Sequence, residues 1–133
     1  MIKKFGLFSI FVLLLISGCA NSNSGDAQEQ WTPNFVTVKY RPDPVDIAAP
    51  YFESLERSDS SVVTGAWFDS GNEYLIINLQ GTVYHYCGIG TSIWNSLKSA
   101  DSMGSYFGDY IKGNFDCRVF PVPVYAGVIS NGG

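Results

Sequence analysis

The stretch Gly81 to Gly90 reads GTVYHYCGIG and holds the only histidine of the 133-residue chain, His85. Cys87 follows two residues later, and Tyr84 and Tyr86 flank the histidine. An imidazole beside a thiol suggests a nucleophilic dyad, half of a metal site, or a structural pair with no reaction at all. On a strand, residues i and i+2 share a face about 7 Å apart. A dyad needs a hydrogen-bonded base and a thiolate, and neither comes naturally at that spacing. A metal site needs three or four ligands. One histidine and scattered carboxylates do not supply them, and Asp69, Glu73 and Asp101 sit beside turns or helix caps. No Gly-x-Ser-x-Gly, His-Glu-x-x-His or phosphate loop occurs. The expectation is a chain with no catalytic, cofactor-binding or metal-binding set, and a protein that is not an enzyme.

The fate of Cys87 depends on where the chain resides. Lys3 and Lys4 form a basic start, and Phe5 to Ile16 is an apolar run broken only by Gly6 and Ser9. That run falls short of the roughly 20 residues of a membrane span and fits a secretory leader. Ile16-Ser17-Gly18-Cys19 resembles a bacterial lipobox, in which the cysteine is acylated and becomes the mature N-terminus. An ordinary signal peptide with an incidental cysteine, or an uncleaved anchor, is the competing reading. The lipobox implies a cell-envelope lipoprotein held by its acyl (palmitate-type) chains on Cys19, each buried methylene adding about 0.8 kcal/mol of membrane affinity. Ala20 does not resemble the aspartate retention signal, which implies the outer membrane in a Gram-negative source, facing periplasm or exterior.

With Cys19 lipidated, Cys87 and Cys117 are left in an oxidising compartment, where an even pair has one connectivity. A disulfide between them would close a loop of roughly 30 residues and add about 3–4 kcal/mol in the chain-entropy model. The alternative is two buried free thiols too far apart to join. Charge bears on another class of partner. Lys3 and Lys4 leave with the leader, so six Lys+Arg face twelve Asp+Glu and the mature net charge is −6. Such a surface gains little from phosphate counterion release, and nucleic-acid binding is disfavoured.

The elements that position these residues follow from pattern. The chain divides into a leader 1–18, a polar tether 19–30, a proline-interrupted arm 31–57, a domain 58–125 and a tail 126–133. Within the arm, Phe35 to Tyr40 alternates as a short strand, and Pro42, Pro44 and Pro50 interrupt any regular element after it. The arm's aromatic residues suggest that it lies on the domain; a disordered linker is the alternative. In the domain, Val62 to Phe68, Glu73 to Leu79 and Thr82 to Cys87 read as strands, with a turn at Asp69–Asn72 and a tight hairpin turn at Gln80-Gly81. Thr91 or Ser92 would cap a first helix with Ile93, Trp94, Leu97 and Ala100 on one face. Asp101 or Ser102 would cap a second with Met103, Phe107, Tyr110 and Ile111, stopped by Gly113. Phe115 to Tyr125 carries Pro121 and Pro123, so a strand there would be an edge strand. The expected fold is α+β: a three-stranded antiparallel meander packed by two helices on one face. An extra edge strand is available from the N-terminal arm or the C-terminal segment.

A two-residue loop at Gln80-Gly81 pairs Leu79 with Thr82, Ile77 with Tyr84 and Leu75 with Tyr86. One sheet face then holds Leu75, Ile77, Leu79, Tyr84 and Tyr86, and the helices cover it. The other holds Tyr74, Ile76, Asn78, Val83, His85 and Cys87, half-covered by the arm or the C-terminal segment. A one-residue slip reverses every assignment. In this register Tyr84 and Tyr86 are better read as core rings with hydroxyls at the rim than as an exposed recognition pair.

In order along the chain, Ser60-Ser61-Val62, Phe68-Asp69, Tyr84-His85-Tyr86, Ala100 to Phe107 and Ile111-Lys112-Gly113 resemble the KTSC domain. Tyr84 and Tyr86 match its central Tyr-x-Tyr. The eponymous Lys-Thr-Ser is absent; Arg57-Ser58-Asp59-Ser60-Ser61 stands in that region. The resemblance implies no established activity. RNA binding has been suggested for the family from its occurrence at the C-terminus of some lysyl-tRNA synthetases, and an exported, acidic chain departs from that context. The functional expectation is a small binding or structural module at the cell envelope, in contact with the membrane through Cys19 and with an envelope protein or component through an exposed surface. An assembly role without a separable ligand, a thiol-dependent enzyme and an RNA-binding module are the alternatives, in that order.

Overall fold

Gln80 and Gly81 reverse the chain in two residues, with φ of 54° and 96°. Two successive positive φ values give the turn whose twist matches paired strands. Around it the computed structural model describes residues 32–55 and 57–125. The leader, Cys19, the tether, Trp31 and the tail 126–133 lie outside the described residues. Counting along the chain, the strands are β1 (Phe35–Val36), β2 (Val45–Asp46), β3 (Glu53–Ser54), β4 (Val63–Asp69), β5 (Tyr74–Leu79) and β6 (Thr82–Cys87). Helix α1 spans Thr91–Ser99, and α2 (Met103–Tyr106) runs on into a π-helical turn, Phe107–Ile111.

The main sheet is antiparallel in the order β3-β4-β5-β6. It pairs Leu79 with Thr82, Ile77 with Tyr84, Leu75 with Tyr86 and Ile76 with His85, the register expected from the hairpin. The sheet is therefore four-stranded, not three-stranded. Its extra edge comes from the arm, where Glu53 pairs with Phe68 and Ser54 with Trp67. A separate two-stranded sheet, β1 with β2, also forms in the arm. Two-residue strands bounded by prolines carry too little period-2 pattern to be read from sequence. The expected six-residue strand Phe35–Tyr40 shrinks to β1 because Tyr40 turns at φ 68° and Arg41 N–H donates back to the Val38 carbonyl. The C-terminal segment forms no strand among the described residues.

The helices cover one face. Trp94, Leu97, Met103, Phe107 and Ile111 pack on Val63, Ala66, Phe68, Leu75 and Ile77, with Tyr84, Tyr86 and Leu55 partly buried against them. Trp94 stacks on Phe68 at 5.1 Å between ring centres. Ser102 caps α2 by accepting from the Ser105 amide, one of the two caps expected. The start of α1 differs: Gly90 holds the cap position and no side chain bonds there. At the other end of α1, Arg57 donates to the carbonyls of Lys98 and Ala100, supplying partners that the last turn lacks. Lys98 pairs with Glu53, tying β3 to the same helix.

The second face is closed by both candidate segments. Val38, Val45 and Ile47 of the arm bury against Tyr74, Ile76 and Cys87, with Phe52, Trp67, Val83, Cys117 and Tyr125 around them. Tyr125 stacks on Tyr51 at 4.8 Å, and its hydroxyl donates to Asp69 Oδ2 at 2.8 Å. Asp69 also accepts from the Gly71 and Asn72 amides through Oδ1. This buried carboxylate therefore fixes the β4–β5 turn and docks the C-terminal segment together.

Candidate functional site

Strand β6 lies at the open edge of the main sheet, and the hairpin fixes which way its backbone faces. Residues next to a two-residue turn bond to each other, so Thr82, Tyr84 and Tyr86 spend their N–H and C=O groups on β5. Those of Val83, His85 and Cys87 point outward. Two of the outward residues have partners: Lys39 N–H donates to the Val83 carbonyl at 2.8 Å, and Cys87 N–H donates to the Phe115 carbonyl at 3.0 Å. Between them stands His85, whose main-chain N–H and C=O meet no partner among the described residues.

An open groove of about 670 Å³ lies along that unpaired edge. It is lined by Tyr40 and Val122, by residues of the Gly113–Arg118 segment including Asn114, Asp116, Cys117 and Arg118, and by Tyr84, His85 and Tyr86 of the strand. Tyr40 is 81% exposed. The Lys39 ammonium rests 5.2 Å from the centre of the Tyr40 ring and 5.3 Å from that of Tyr84, a distance at which a cation is attracted by a ring face. Tyr84 and Tyr86 are half-buried: their rings meet the helix-side core, Tyr86 edge-on to Phe107, while part of each remains in the groove. The core reading of this pair thus covers only half of what they do.

Cys87 and Cys117 are joined in a disulfide with Cα atoms 4.8 Å apart. This bond sets the groove wall, because it brings Asp116 and Arg118 beside β6. Asp116 accepts from the Arg118 guanidinium and from the Arg118 amide, at 2.9 and 2.8 Å. The guanidinium contact holds the Asp116 carboxyl down to about 2.

His85 has no thiol to activate. Its Nδ1 lies 2.8 Å from the Tyr74 hydroxyl, which also accepts from Arg41 Nη1 at 3.3 Å. Arg41 can only donate, so the Tyr74 hydroxyl accepts from it, and the direction of the Tyr74–His85 contact follows the imidazole tautomer. Burial lowers the His85 pKa below its ordinary 6.5, and the Arg41 charge lowers it further. Arg41 reaches on to the Pro123 carbonyl at 3.0 Å and so links the arm, the sheet and the C-terminal segment. Among the described residues no group of three His, Cys, Asp or Glu side chains could hold a metal ion.

Sequence alone singles out Tyr84 and Tyr86 as a family motif and Cys87 and Cys117 as a disulfide pair, and it does not point to Tyr40, Arg41, Asn114, Asp116 or Arg118 as groove residues. A signal for two of these was present: a Cys87–Cys117 bond necessarily brings Asp116 and Arg118 against the strand carrying His85. Tyr40 and Asn114 had none, since their positions depend on a left-handed turn and a helix exit. Residues 59–115 match the family model of the KTSC domain. No curated protein matches the chain. The match ends short of Asp116, Cys117 and Arg118 and leaves out Tyr40, so the groove is shared between the domain and flanking segments of this chain.

Proposed function

With residues 59–115 forming a KTSC domain, we propose that this chain is a non-enzymatic binding module of the cell envelope. In this reading it is held by lipid on Cys19 and engages its ligand in the groove beside β6. The observation that carries the binding role is an unpaired strand edge opening into a groove walled by tyrosines. A purely structural sheet edge is usually covered, charged or very short. Among the described residues both ends of the edge are covered and the middle is left open over His85. The volume falls in the range of ordinary ligand sites.

The envelope placement is supported by the basic start, the apolar run and the lipobox-like Ile16-Ser17-Gly18-Cys19, read together. The acidic mature charge and the absence of Lys-Thr-Ser speak against carrying an RNA role over from the synthetase setting. Two experiments test the proposal. Replacing Cys19 with alanine should shift the protein from the membrane to the soluble fraction and abolish labelling by a palmitate analogue; retention on the membrane would remove the lipid anchor. A photo-crosslinking side chain placed at Tyr40 in cells should give a discrete adduct, whereas one at Ser96, exposed on α1, should not. Equal labelling from both sites, or none from Tyr40, would remove the groove as a ligand site and leave an assembly role.

A further inference from the structure

We propose that the groove beside β6 takes a pyranose segment of an envelope polysaccharide, with vicinal hydroxyls of one sugar bonded to the main-chain N–H and C=O of His85. This inference rests on the reading of the groove as a ligand site and names the class of ligand.

Three observations select a sugar. The first is the geometry of the open edge. In an extended residue the N–H and C=O point the same way and lie close together, so His85 offers one donor and one acceptor side by side. Neighbouring equatorial hydroxyls of a pyranose are spaced comparably, and each hydroxyl both donates and accepts. One hydroxyl oxygen accepts from the His85 N–H while its neighbour donates to the His85 C=O.

The second observation is the length of the gap. A peptide strand adding to β6 would make the same two bonds, since strand addition works through main-chain pairing. It would also have to run on along the edge. Lys39 and Phe115 already bond to Val83 and Cys87 there, four residues apart, or about 13 Å at strand spacing. A through-running strand meets their backbones at both ends. A compact ring that enters from the groove does not.

The third is the lining. A pyranose has apolar C–H faces and a polar rim. The groove presents Tyr40, Tyr84 and Tyr86 for the faces. For the rim it has the Asn114 amide, anchored by donating to the Tyr110 carbonyl at 3.0 Å, and the Asp116–Arg118 pair. The pair largely offsets its own charge, which suits hydroxyls better than a strongly ionic ligand. The Lys39 ammonium over the Tyr40 and Tyr84 rings adds a donor at the mouth.

The test uses the mature chain with Cys19→Ser, labelled with nitrogen-15 and titrated with cellotetraose, chitotetraose and an N-acetyl trialanine amide. The expected result is saturable movement of the His85 amide signal with at least one of the two oligosaccharides at millimolar concentration, and at least about tenfold weaker binding of the peptide. Tyr40→Ala, at an exposed position that the core does not need, should weaken oligosaccharide binding about tenfold while leaving the melting temperature in place. No movement of the His85 amide with either oligosaccharide overturns the sugar assignment, as does undiminished binding by Tyr40→Ala. Binding of the trialanine amide alone overturns it in favour of a peptide and leaves the groove standing. The groove itself is judged separately, by the crosslink from Tyr40.

Discussion

The hydroxyl of Tyr74 lies 2.8 Å from Nδ1 of His85, a diagonal contact across the β5–β6 pair, in which Tyr74 stands opposite Cys87 and His85 opposite Ile76. With Nδ1 unprotonated, the hydroxyl accepts from Arg41 and donates its own proton to His85. Burial and the Arg41 charge lower the His85 pKa and favour the neutral imidazole.

The burial of His85 makes stability depend on pH. The His85 pKa is lowered in the folded chain, first by burial and then by the Arg41 charge, while in the unfolded chain it stays near the ordinary 6.5. Below about 6.5 the unfolded state binds more protons, so stability falls as pH drops through the interval between the two values and levels off below the folded one. Above 6.5 the residue contributes no slope. The chain has one histidine, so its ring signals in a proton NMR titration need no assignment. A midpoint at or above 6.5 would contradict the geometry. Tyr74→Phe should keep most of the shift, because burial is its largest cause.

Arg41 is predicted to hold the cover of the second face. Its guanidinium donates to the Asp43 carbonyl, the Tyr74 hydroxyl and the Pro123 carbonyl, and it lies over the Tyr74 and Tyr125 rings. Arg41→Ala should cost about 1.5–3 kcal/mol, the range for hydrogen bonds to charged groups, and should speed proteolysis between Pro121 and Tyr125. Arg41→Lys should rescue little, since one ammonium cannot reproduce a three-way planar fork. Urea denaturation of the three proteins measures the first effect, and limited proteolysis the second.

Gln80 offers a gain. It sits at φ 54° in the hairpin turn, where asparagine is favoured at the first central position. Gln80→Asn should stabilise by about 0.5–1 kcal/mol, in line with other turn substitutions that match a required backbone conformation. Loss of stability would mean that the Gln80 contact with the Ser61 carbonyl, at 3.3 Å, outweighs the turn.

How far the sequence could be read depended on the range of the interactions. The Gln80-Gly81 turn set the register of β5 and β6, and the helical spacing of Trp94, Leu97, Met103, Phe107 and Ile111 set the face they cover. Both are local patterns. The arm was different: Val38, Val45 and Ile47 bury against Tyr74 and Ile76 through turns that obey no period. The same limit applies to the site. Its strand residues were legible because they alternate, whereas Tyr40 and Asn114 reach the groove from segments whose paths are decided by tertiary contacts. Arg41 illustrates this, since its partners stand 33 and 82 residues away.

The Cys87–Cys117 bond is the last link between stability and the proposed site. It closes a loop with a sequence separation of 30, for which the chain-entropy model gives about 3–4 kcal/mol. Replacing both cysteines with alanine should therefore lower the melting temperature by about 12–32 °C, using about 4–8 °C per kcal/mol for a domain of this size. The variant should also lose ligand disproportionately, because Asp116 and Arg118 are held against β6 through Cys117 while Tyr40 is held through the Lys39–Val83 bond. Calorimetry together with ligand titration below the variant's own melting temperature separates the two effects. A folded variant that binds as well as the parent would show that the wall keeps its place without the disulfide, through the Cys87–Phe115 main-chain bond alone.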